Sequence, residues 1–96
     1  MQNIEEFVSR LIEDKGFNEQ DPEIIAQMKK DLLDRVENRI NAMIVSILSS
    51  EKLPEFEKLL DGGSEEEIQK FVKGNIPDID ERVATELLTF KNIYLG

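Results

Sequence analysis

Apolar side chains along this chain recur at spacings of three and four, the period of an α-helix, and nowhere keep the period-two alternation of a strand. The longest such stretch runs from Asp21 to Ser50. Met28, Leu32, Val36, Ile40, Ile44 and Leu48 recur every four residues, with Leu33, Val36, Ile40, Met43 and Ile47 in a second row beside them. The spacing predicts one helix of about thirty residues, roughly 45 Å long at 1.5 Å per residue. Its apolar face is too wide for a simple surface helix. Asp21-Pro22-Glu23 supplies an N-cap, a proline at the first position and an acid in the first turn. Its polar side mixes charges, with Lys30 placed for Asp34 and Asp31 for Arg35. Ser49-Ser50-Glu51 is expected to break it, either serine serving as cap of a new helix with Pro54 in its first turn.

Four shorter amphipathic stretches flank this one. Asn3-Ile4-Glu5-Glu6 has the form of a capping box, and Ile4, Phe7, Val8, Leu11 and Ile12 follow as one face. Gly16 is placed for the left-handed C-terminal position, with Phe17 as the apolar contact that accompanies a Schellman end. Leu53, Phe56, Leu59 and Leu60 form the apolar side of a third helix that Asp61-Gly62-Gly63 should end in a turn. Ser64-Glu65-Glu66-Glu67 is the clearest capping box; Ile68, Phe71 and Val72 follow, and Lys73-Gly74 closes that helix. Asn75-Ile76-Pro77 is expected to be extended. The last helix opens on the box-like Asp78-Ile79-Asp80-Glu81 with Asp78 as its cap, and has Ile79, Val83, Leu87, Phe90 and Tyr94 as its stripe and Leu88 broadening the face. The fold class is all-α: one domain over residues 1–96, a compact bundle of four to five helices around the long central helix at about 21–50.

Composition narrows the function. In 96 residues there are 21 Asp and Glu against 12 Lys and Arg, a net charge of −9. An acidic chain with scattered cations is not expected to bind nucleic acid or an anionic membrane surface. It has no cysteine and no histidine, which removes thiolate chemistry and the commonest general base and metal ligand. The N-terminal stretch lacks the pattern of a signal peptide. The longest apolar run, Ala42 to Leu48, is far short of the ~20 residues that span a bilayer. The expectation is a cytoplasmic protein.

No phosphate-binding glycine loop, EF-hand loop or nucleophilic constellation is present. The glutamates at 65–67 are accounted for by the helix dipole at a helix start. No catalytic, metal or cofactor site is expected, and the protein reads as non-enzymatic.

The second half carries a pattern beyond periodicity. Leu53-Pro54-Glu55-Phe56-Glu57-Lys58-Leu59-Leu60-Asp61-Gly62 is followed by Glu66-Glu67-Ile68-Gln69-Lys70-Phe71 and by Ile76-Pro77-Asp78-Ile79. Over roughly residues 24 to 90 this resembles a family of short acidic helical proteins of candidate-phyla, Patescibacteria-type bacteria, classed as a domain of unknown function. The resemblance implies a bacterial origin and supplies no catalytic residue.

Two readings of function follow. The first is a protein-interaction module, expected to form a homodimer. Ala42 to Leu48 is apolar around most of the helix, and short flanking helices leave it undercovered. The candidate contact residues are Ile40, Met43, Ile44, Ile47 and Leu48, and the alternative is that neighbouring helices wrap them within one chain. The second reading is an acidic regulator that covers a basic protein surface, in the manner of a nucleic-acid mimic. A small apolar-ligand carrier would need a cavity of ~300 Å³ or more between the helices.

Overall fold

The computed structural model describes residues 4–17 and 19–96. The Asn3 cap lies outside the described residues. Five helices follow in order: α1 (Ile4–Asp14), α2 (Pro22–Ile47), α3 (Leu53–Gly62), α4 (Glu65–Asn75) and α5 (Ile79–Leu95). The all-α bundle around one long helix is thus observed, and no strand occurs among the described residues.

Local chemistry sets several of the boundaries. α1 ends in a Schellman motif: Phe17 N–H donates to the Ile12 carbonyl at 3.0 Å and Gly16 N–H to Glu13 at 2.9 Å, with Gly16 at φ 84. Asp21 caps α2, its carboxylate accepting from Glu23 N–H at 2.9 Å. Ser64 accepts from Glu67 N–H at 3.1 Å, and the Glu67 carboxylate turns back to the Ser64 N–H to complete the box.

Other boundaries differ from the expectation. α2 stops at Ile47, and Leu48 leaves it in an extended conformation. Neither Ser49 nor Ser50 caps α3. The turn is closed by backbone, Lys52 N–H to the Ser49 carbonyl at 3.0 Å, and α3 opens at Lys52 without a side-chain cap. Asp78 likewise does not cap α5; its carboxylate accepts from Arg82 Nε at 3.0 Å. Gly62 remains helical and Gly63 is extended, so the glycine pair makes no left-handed turn. Gly63 is instead a close approach, since a Cβ there would sit 2.8 Å from the Leu59 carbonyl oxygen.

One apolar cluster joins all five helices. Val8, Leu11 and Ile12 of α1 meet Leu32, Val36, Ile40 and Ile44 of α2, while Val83, Leu87 and Phe90 come from α5. Phe56 of α3 is fully buried and stacks on Phe71 of α4 with ring centroids 6.2 Å apart. α1 packs on α2, and α5 packs on both. At one end of this group, the Lys15 ammonium that follows α1 donates to the Tyr94 carbonyl near the end of α5. At the other, the first residues of α1 and α5 share a groove with the second half of α2. α1 and α5 therefore run parallel and α2 opposes both, with the paired helices α3 and α4 set over the far end.

The surface pattern departs from the sequence reading in two respects. Leu88 does not broaden the core face of α5; it is 59% exposed, one residue round from the buried Leu87. On α2, Asp31 accepts from Gln27, and Arg39 reaches across to Glu86 of α5 at 3.2 Å, so the central helix is tied outward to α5. The molecule is elongated, 46 × 26 × 17 Å. Its radius of gyration, 14.9 Å, exceeds the ~12.5 Å usual for a chain of this length.

Candidate interaction surfaces

The five contact residues expected from the sequence do not share one surface. Ile40, Ile44 and Leu48 are buried within the chain, Met43 is half-buried against the same cluster, and Ile47 is 36% exposed. The wrap is largely intramolecular: α2 packs on α1 and α5, and Ile40 and Ile44 close the base of a groove shared with α3 and α4. What remains outside is narrower. Residues 41–50 contain no charged side chain, in a chain of which a third is charged. Within them Ala42, Val45, Ser46, Ile47, Ser49 and Ser50 face solvent. Val45, 42% exposed, belongs to this patch and was absent from the sequence-based set. Its signal was present: it lies off the every-fourth row that Ile40, Ile44 and Leu48 occupy.

A second surface was not legible, because it is assembled from α1, α2, α3, α4 and α5 together. A groove of about 440 Å³ has a floor of Ile40, Ile44, Val72, Ile79 and Val83. Its wall includes Leu60, 42% exposed, with Ile4 and Ile68 half-buried alongside. Glu5, Glu37 and Glu65 stand on it, each exposed, and among the described residues none has a cationic partner. No lysine or arginine lines the groove among the described residues. Its volume suits a small apolar ligand, but exposed carboxylates on three helices keep its mouth wet. A larger depression, about 600 Å³, lies along α4 alone between charges of both signs, with no apolar floor.

The remaining chemistry is sparse. Among the described residues no three Asp or Glu side chains are grouped to hold a metal ion. No described helix is long and apolar enough to cross a membrane. The acids at 78–81 are partly neutralised, Asp78 by Arg82 and Asp80 by Lys73 at 3.5 Å.

Comparison with curated proteins and comparison with solved structures each find no match. A family model, by contrast, matches residues 11–94, from the last turn of α1 into α5, and contains the whole region on which the resemblance rested. The chain belongs to the family described as protein of unknown function, DUF5663.

Proposed function

We propose that this protein is a non-enzymatic interaction module that works as a homodimer through the uncharged end of α2. The observation that carries the reading is that Val45 and Ile47 stay exposed on a ten-residue stretch with no charged side chain. For a chain of net charge −9, two copies meet most readily where neither brings charge, which is the patch at 41–50. A two-fold axis near Ile47 would set each patch against its counterpart. The composition fits a cytoplasmic protein, and the resemblance fits a bacterial, Patescibacteria-type origin.

Light scattering coupled to size exclusion tests this. The expected mass is about twice the 11.1 kDa of one chain, and Ile47→Asp should return it to one chain with helical circular dichroism unchanged. A single-chain mass at every concentration removes the dimer.

The alternative, an acidic regulator that imitates nucleic acid, has less support. It needs a continuous negative face, and the pairing of Asp78 and Asp80 with cations interrupts one. The unpaired acids that do gather are those around the groove.

A further inference from the structure

We propose that the groove between the helices binds a cationic amphipathic helix of another protein. Ile40, Ile44, Val72, Ile79 and Val83 close its base and are nearly buried, while Ile4, Ile68 and Leu60 present apolar surface along it, the kind of contact that a helix makes with residues at i, i+3, i+4 and i+7. Leu60 extends that surface outward instead of folding into the core around Phe56. Charge fixes the kind of partner. Glu5, Glu37 and Glu65 line the groove from three different helices with no lysine or arginine among them, within the described residues. An apolar segment flanked by Lys or Arg meets both features at once, and its approach is steered by the net −9. A second copy of this chain is the wrong occupant, because at net −9 it brings like charge to a groove lined by three glutamates. The inference stands apart from the dimer, because the groove and the Val45–Ile47 patch use different exposed residues.

The probe is a synthetic fourteen-residue helix with leucines on one face and lysines beside them, tested by calorimetry against the full chain. Two control peptides accompany it: a scrambled sequence of the same composition, and one with every lysine replaced by glutamate. The helical cationic peptide should bind, and the scrambled and acidic ones should bind at least tenfold more weakly or not at all. On the protein, Glu5→Gln, Glu37→Gln and Glu65→Gln combined should weaken binding about tenfold, each exposed pair contributing a modest share. The same charge change made at Glu13, Glu51 and Glu57, exposed acids outside the groove, should change it by less than about threefold. Circular dichroism verifies that both triple variants stay folded, and Ile47→Asp should bind the peptide as the parent does. No binding of the helical peptide, equal binding of the scrambled one, or equal loss in the two triple variants would each overturn the proposal.

Discussion

Two glycines at helix ends should respond to alanine with opposite signs. Gly16 carries φ 84, a conformation that an L side chain adopts only with strain of about 1–2 kcal/mol, although nothing crowds its Cβ. Gly74 is helical, with open space where a Cβ would go, so alanine there lowers the entropy of the unfolded chain and stabilises by about 0.5–1 kcal/mol. Urea unfolding at matched protein concentration should show Gly16→Ala less stable than the parent and Gly74→Ala more stable. Equal midpoints would mean that the left-handed end of α1 is not formed in solution. The contrast also shows which residue roles could be read from the sequence. The Gly16 end and the Ser64 box are closed by partners within five residues, and the sequence displays both members. Asp78 looked like a cap of the same kind, but Arg82 four residues on takes its carboxylate, a competition between two local partners that residue preferences alone do not rank.

The same division appears among the elements. All five helices are legible because each carries an apolar stripe of helical period, and α2 falls within its expected span. How the elements cover one another was not legible, since it depends on contacts such as Arg39 with Glu86, 47 positions apart. That is why Ile40 and Ile44 read as candidate contacts in the sequence and are buried in the fold, with Val72 of α4 and Ile79 and Val83 of α5 beside them at the base of the groove. The groove was hidden for the same reason, its three glutamates looking in the sequence like ordinary helix-surface acids. At this scale Ile44→Asp is the decisive change. It places a carboxylate in the floor shared by α2, α4 and α5 and should destabilise the protein by about 3 kcal/mol. Thermal melting followed by circular dichroism checks it, and a parent-like melt would show that α2 is not the spine of the core.

For the whole molecule, the two proposed contacts should respond to salt in opposite directions. Two chains of net charge −9 repel each other at any distance within the Debye length, which shrinks from ~10 Å at 0.1 M ionic strength to ~3 Å at 1 M. The contact through residues 41–50 has no charge of its own to lose, so screening removes only the repulsion, and apolar burial remains. The dimer should therefore tighten as sodium chloride rises, its dissociation midpoint in a dilution series moving to lower protein concentration. The groove depends on Glu5, Glu37 and Glu65 attracting a cationic helix, and those attractions are screened at the surface. Peptide affinity should fall over the same range. Both trends can be measured on one preparation, by light scattering on dilution and by calorimetric titration with the peptide. If dimer and peptide complex weaken together with salt, the self-contact is electrostatic and does not lie at the uncharged end of α2. If both tighten, the three glutamates do not select the groove's occupant, and its apolar floor alone holds the peptide.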